Sequence, residues 1–395
     1  MELKELAKKL GVAKYPEVLE KIYVELGDND GAVYNREYII GLQEKYNLLG
    51  PYLNVVLGGA DEIKTKPELL LWARLGCVYV NQTDCFESGK FPIPTSDGSL
   101  AMDMLPVLVL LSEVPTAVKL YEARGFNEAQ IRKNLDNIRI NIWVREITKG
   151  RPMLDQGLFG WLGLYMKALI FDHKAFNFQP KQWGMQSIVL RNKVTGEYAI
   201  VMNETKAHAS GHILGSKGYE NADGSFTTAF SETMEVFVGH TTANGKIQST
   251  PTVFKKSEWE CIVRPGDDVV SLHIPRNTNL DPEHVSECLK EGLELTKKYY
   301  PELSPKYIVC FSWLLSPALV DILGPDAKLS KFNMRFLKHP LLDPSGAASL
   351  GYVWPGNNGP VENYEENTTL QRGIKKMMLE NKHILCFAGI ITEII

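Results

Sequence analysis

The spacing of apolar residues changes once along this chain, near Trp183, and no other feature limits the fold so sharply. Upstream the repeat is three to four residues. Ile131, Leu135, Ile138 and Ile142 are separated by four, three and four positions, one face of a helix. Asn127 followed by Gln130 reads as a capping-box start for that helix. Residues 66–80 and 99–124 also read as helices. Pro106 and Pro115 are expected to break or kink the second, because proline removes an intrahelical donor. Stretches 2–10, 16–26 and 36–48 read as shorter helices.

Downstream the repeat becomes two. Residues 186–191 and 197–202 read as strands joined by a turn, and Met234, Val236 and Val238 alternate along another. Asn244-Gly245 is a type I′ hairpin signal. Residues 259–263 and 268–275 form two more strands around Pro265-Gly266. The stretch 203–232, rich in small polar residues, reads as a long mobile loop. After residue 275 the order is helix, strand, helix. Asp281 and Pro282 suit a helix start. Val285, Cys288, Leu289, Gly292, Leu295 and Tyr299 form that helix's inner stripe. The apolar run 307–313 reads as a central strand covered on both faces. A helix opening at Thr368 and a last strand within 383–392 complete the pattern.

The fold class is therefore α+β. A mainly helical domain covers residues 1–182, and a mixed sheet of about six or seven strands, with a strand–helix–strand crossover near its middle, covers 183–395. A chain of 395 residues suits two domains. Its formal net charge of −4 supplies no basic field for nucleic acid or an anionic membrane. The N-terminus has no apolar signal core, and the apolar run 104–111 is too short to span a bilayer. None of the six cysteines, Cys77, Cys85, Cys261, Cys288, Cys310 and Cys386, forms a CxxC pair, which fits free thiols in a reducing compartment. These observations together point to a cytoplasmic protein. They leave its oligomeric state open.

The chemistry-bearing stretch is 268–324. A strand ends abruptly at Pro275, which lacks the N–H needed to continue pairing. The loop 276–281 then leads into a helix N-terminus, whose unpaired N–H groups and partial positive charge suit an anion.

Here the chain resembles bacterial acyltransferase-domain proteins that pair an N-acyltransferase N-terminal domain with a GNAT-like C-terminal domain. The residues that carry the resemblance are GDDVVSLHIPRNTNLDPEHV (266–285), KYIVCFSWLLSPALVDIL (306–323), VGHTTANGKI (238–247) and TTLQRGIKK (368–376). The resemblance implies acyl-CoA or acetyl-CoA as co-substrate, with pantetheine along Ser271, Leu272, His273 and Ile274. Pyrophosphate would lie at Arg276, Asn277, Thr278 and Asn279, where Arg276 adds charge. It further implies direct attack by a small-molecule amine on the thioester. In one respect the chain departs from the family pattern. The loop of these enzymes is glycine-rich, whereas PRNTNLDPEHV contains no glycine and carries Asp281 and Glu283 in the first helical turn. That departure favours the alternative, a non-catalytic small-molecule-binding or sensor protein that keeps the fold.

His273 is the candidate general base, against a hydrogen-bonded structural histidine. Ser312 and Trp313, at the exit of the 307–313 strand, are candidates to line the catalytic pocket and the cofactor site, although Trp313 also suits a core plug. His240 either lines the substrate pocket or stabilises its turn. Cys310 reads as a buried, inert thiol in preference to a nucleophile. His208 and His212 have the spacing of metal ligands but lie in a loop without a third, so no metal is expected.

Overall fold

The computed structural model describes residues 2–27, 34–82, 89–357 and 359–392. Cys85 lies outside them. The chain divides into two compact units, residues 1–172 and 173–395.

The first unit is helical. Its axis is Leu100–Ala123, packed by Leu53–Lys64, Pro67–Gln82 and Gln156–Met166. Gly59 permits the closest of these approaches, since a Cβ there would meet the Met104 side chain at 2.5 Å. Of the break or kink expected at the prolines, the break does not occur: the helix runs on through Pro106 and Pro115. Pro115 deprives the Leu111 carbonyl of its usual donor, and the Tyr38 hydroxyl donates to that oxygen instead at 3.1 Å. This helix is long and apolar enough to cross a membrane, but 78% of its apolar window is buried. The capping box at Asn127 and Gln130 forms with both reciprocal bonds, and Ile131, Leu135, Ile138 and Ile142 are all buried. They sit on two consecutive helices, Glu128–Leu135 and Asn137–Lys149, instead of one.

Among the described residues the strands form two large sheets and a small two-stranded one, where the alternation along the sequence suggests a single sheet. The first is mixed, in the order Phe171–His173, Phe176–Gln182, Asp268–His273, Ile308–Ser312, Phe387–Ile391, Phe336–Pro340. The strand Phe176–Gln182 thus lies upstream of the residue-182 boundary but belongs to this sheet. The second sheet is antiparallel, in the order Thr252–Lys255, Val236–Ala243, Tyr198–Met202, Ser187–Asn192, Trp259–Val263. Alternation reveals which side chains share a face but not which strands share a sheet. The two faces meet through Trp183, Val189, Ile200, Met202, Val269, Val309 and Ile390. The stretch 203–232 is not a featureless loop: Lys206–Ala207 pairs with Phe226–Thr227, and Phe230–Glu232 pairs with Val236–Ala243. Met234 stands 95% exposed, ahead of the strand Val236–Ala243 and not within it.

Candidate active site

The central pair of strands in the mixed sheet is parallel. Asp268–His273 and Ile308–Ser312 are joined through the helix Pro282–Tyr299, and the register runs Val270 to Ile308, Ser271 to Val309, Leu272 to Cys310. The pairing then stops. His273 keeps its antiparallel partner Asn177, while Phe311 and Ser312 keep Ala388 and Phe387. Each strand therefore stays bonded to its outer neighbour while the two part from each other, opening a gap in the ladder beyond Leu272 and Cys310. The helix between them lies close over the sheet because Gly292 faces Phe178, where a Cβ would come within 2.1 Å of the ring.

Around the gap, alternation sorts the side chains. Val270 and Leu272 point to one face, and Val269, Ser271 and His273 to the other. Ser271 and Leu272 are both 1% exposed. His273 is part-buried, with Nε2 3.0 Å from Gln179 Oε1. Burial pushes its imidazole down to about 4, and the charge of Lys181 acts in the same direction. It is therefore neutral at pH 7. Lys181 lies over the Phe311 ring, Nζ 5.0 Å from the centroid, and partial desolvation lowers its own pKa. Cys310 is fully buried, and burial pushes its thiol up to about 12, which makes it a poor nucleophile.

The loop beyond Pro275 is tied to its surroundings. The Arg276 guanidinium donates to the carbonyls of Gly351 and Tyr352 at 2.9 and 3.0 Å, closing the end of the short helix Leu350–Val353. Asn277 adopts φ +63, which asparagine tolerates. The Thr278 hydroxyl donates to the Pro275 carbonyl at 2.7 Å, and Asn279 Oδ1 accepts from the Asp281 amide at 3.1 Å. Asp281 occupies the position before the helix, but its carboxylate does not cap it. It pairs with Lys328 at 2.7 Å instead. Arg335 donates to the Pro282 carbonyl and the Ser286 hydroxyl, both at 2.8 Å. Two cations distant in sequence, Lys328 and Arg335, thus stand at a helix entrance that looked acidic in the sequence.

Ser312 Oγ accepts from the Leu314 amide at 3.1 Å and caps the turn Trp313–Leu315. Trp313 is 7% exposed and packs with Leu319, Trp354, Tyr364 and Ile374, so it fills the core beside the gap. That turn is fastened by Asn333, whose amide donates to the carbonyls of Leu314 and Ser316. Asn333 in turn accepts from Lys338 Nζ at 2.6 Å, and burial pushes that ammonium down to about 8. His240 lies in the other sheet, with Nδ1 3.0 Å from the Gln248 carbonyl and its ring stacked on Phe226. The Ser210 hydroxyl lies between the Nδ1 atoms of His208 and His212, and His212 stacks on Tyr219 at 3.8 Å. Among the described residues no group of three His, Cys, Asp or Glu is placed to hold a metal ion.

The site thus brings Ser271, Leu272 and His273 to the gap, with Ser312 at the far strand's end, and leaves His240 and Trp313 engaged elsewhere. Gln179, Lys181, Lys328, Arg335 and Lys338 escaped the sequence reading. For Gln179 and Lys181 a signal existed, since Asn177, Gln179 and Lys181 alternate beside apolar residues.

The whole chain is similar to solved acyltransferase structures. One, in complex with decanoyl-CoA, is 15% identical with a TM-score of 0.65. Another, in complex with CoA and 10C-teicoplanin, is 13% identical with a TM-score of 0.68. A mutant acyltransferase in complex with octanoyl-CoA is also 13% identical, with a TM-score of 0.68. Each likeness covers 99% of both chains. Comparison with curated proteins finds no match. The family model described as GNAT-like C-terminal domain matches residues 181–391, more than half of the sequence, and the chain belongs to that family.

Proposed function

We propose that this protein is an acyl-CoA-dependent acyltransferase acting on a small-molecule amine. The observation that carries the reading is the parallel strand pair that parts beyond Leu272 and Cys310 with a neutral histidine at its mouth. The similar acyltransferases hold CoA, decanoyl-CoA or octanoyl-CoA, and one of them holds a teicoplanin derivative as well, which supports the co-substrate class and a small-molecule acceptor.

In this reading the pantetheine amides bond to strand backbone at Ser271–Ile274, where the ladder between the two parallel strands ends. The diphosphate lies at the N-terminus of Pro282–Tyr299, where amide N–H groups meet it. Lys328 is paired with Asp281, so the charge at this entrance comes from Arg335, which donates to uncharged oxygens in the helix's first turn. This arrangement replaces the close backbone approach that glycines give elsewhere. The amine nitrogen attacks the thioester carbonyl and the C–N bond forms. His273 takes the proton released from nitrogen, and the C–S bond breaks to give the amide and the CoA thiolate.

Thermal-shift titrations of the full chain with CoA, acetyl-CoA and decanoyl-CoA test the first step. A ligand that binds only the native state raises the melting temperature with concentration. Stabilisation by the acyl-CoAs, followed by amine-dependent release of CoA seen by mass spectrometry, supports the transferase. Stabilisation without turnover over a broad amine panel favours a binding protein that keeps the fold, to which the glycine-free, internally bonded loop also points. No stabilisation by any of the three overturns the transferase and favours the non-catalytic reading.

A further inference from the structure

The turn 208–212 carries a serine between two histidines, and the chemistry at the parted strands makes no use of it. Three backbone bonds fix the turn. The His208 amide donates to the His212 carbonyl, the Gly211 amide to the His208 carbonyl and the Ile247 amide to the Gly211 carbonyl, each at 2.8 Å. Gly211 has φ +85, and a Cβ there would meet the Ile247 carbonyl oxygen at 2.6 Å, so the turn requires glycine. Ser210 is exposed at its tip, and His208 and His212 are half-buried beside it.

The contacts place the hydrogens. The Ser210 amide donates to His208 Nδ1 at 3.0 Å. An amide N–H only donates, so Nδ1 carries the lone pair and the hydrogen of His208 is on Nε2. Ser210 Oγ lies 2.7 Å from the same Nδ1, and the hydrogen in that contact is the hydroxyl's own. Oγ therefore accepts from His212 Nδ1, 3.0 Å away on its other side. Tyr219 holds both rings, stacked on His212 at 3.8 Å and edge-on to His208 at 5.4 Å. Burial, with the charges of Lys246 and His208, pushes His212 down to about 4, so it is a neutral donor at pH 7.

A hydroxyl whose proton is aimed at an imidazole lone pair within hydrogen-bond reach is an activated nucleophile. We propose that Ser210 is a nucleophilic serine, with His208 as its general base, that takes an acyl group from an activated ester or thioester. Oγ attacks the acyl carbon and its proton passes to His208 Nδ1. The Oγ–C bond forms, the C–O or C–S bond to the leaving group breaks, and His208 returns the proton to the departing alcohol or thiol. Water then attacks the acyl-serine with His208 again as base, giving the carboxylic acid and the free serine. Lys246, whose charge reaches His212, stabilises the negative oxygen of each tetrahedral intermediate. The inference is independent of the role given to His273.

The test treats the full-length wild type, S210A and H208N with a fluorophosphonate probe, p-nitrophenyl acetate and acetyl-CoA, followed by intact-mass measurement and peptide mapping. In H208N the asparagine Oδ1 still accepts from the Ser210 amide, so the turn is kept and the base is lost. The wild type should carry one fluorophosphonyl or acetyl group, mapped to Ser210. S210A should carry none there, and H208N should react about a hundredfold more slowly. Acetylation by p-nitrophenyl acetate alone makes this an esterase site, and acetylation by acetyl-CoA as well makes it a site for thioesters. No label on wild-type Ser210 from any of the three reagents, or H208N labelled at the wild-type rate, overturns the inference. Should H208N fail to fold, the wild-type map decides: label confined to Ser210 supports the proposal, and label spread over other serines overturns it.

Discussion

Gly292 offers a direct test of how the crossover helix is seated. The helix Pro282–Tyr299 presents this glycine to the Phe178 ring, and a Cβ there would lie 2.1 Å from two ring carbons. That is more than an ångström inside ordinary contact. Phe178 is fully buried, so its ring cannot swing away without displacing other core residues. Overpacking of this kind costs about 1–3 kcal/mol, and the severity of the clash puts Gly292→Ala at the upper end. Replacing an interior helical glycine by alanine returns about 1 kcal/mol of helix propensity. The net expectation is a loss of about 2 kcal/mol, read as a lowered midpoint in urea by the fluorescence of the second unit. The partner change Phe178→Leu creates room, so Gly292→Ala should cost less in that background, with a coupling of about 1 kcal/mol or more in the double-mutant cycle. Gly292→Ala at wild-type stability, or strict additivity with Phe178→Leu, would refute the close seating of helix on sheet.

Other expectations follow from the same structure. Burial holds both His273 and His339 down to about 4, so between pH 6.5 and 4 the unfolded chain binds protons that the folded chain does not. Stability should fall as pH is lowered through that window, and His339→Gln should flatten the fall in urea titrations at stepped pH. Glu113 has the opposite sign. Burial pushes its carboxyl up to about 7 in spite of Lys167 at 2.8 Å, so its protonated form is favoured by folding. Its contribution is greatest below pH 4.5 and is lost as pH rises to about 7, a slope that Glu113→Gln should remove. Arg276→Ala removes two charged hydrogen bonds to carbonyls in a partly exposed setting and should cost about 1 kcal/mol of stability. Arg335→Ala should weaken CoA binding more than Arg276→Ala, in calorimetry at two salt concentrations.

Local signals survived translation into structure. The capping boxes at Asn127 and Thr368, the buried stripe of the crossover helix save for half-buried Leu295, and the strand ending near Pro275 depend on neighbours within a few residues, and they form. What the sequence concealed depends on distant partners. Lys328 and Arg335 reach the helix entrance across more than forty residues, so charge counted locally around Arg276 missed them. The strand Phe176–Gln182 carries Pro180 and a polar face, so its sequence lacks the apolar alternation of a buried strand. Gln179 and Lys181 were lost with it. Arg276 and Trp313 were placed near the site by position alone. Backbone carbonyls claimed the first and the core claimed the second. Leu100–Ala123 passed through two prolines because packing on three sides outweighs the two missing hydrogen bonds.

The central claim is that acyl-CoA occupies the gap beyond Leu272 and Cys310 and that His273 takes the proton from the attacking amine. Its most direct test is the rate of CoA release from decanoyl-CoA by the wild type and by His273→Ala, measured by mass spectrometry with and without an amine acceptor, alongside the calorimetric affinity of each protein for decanoyl-CoA. The account predicts amine-dependent release by the wild type, a rate about a hundredfold lower in the variant, and affinities within a factor of about three. Equal rates in the two proteins, or no binding of decanoyl-CoA by the wild type, would contradict it.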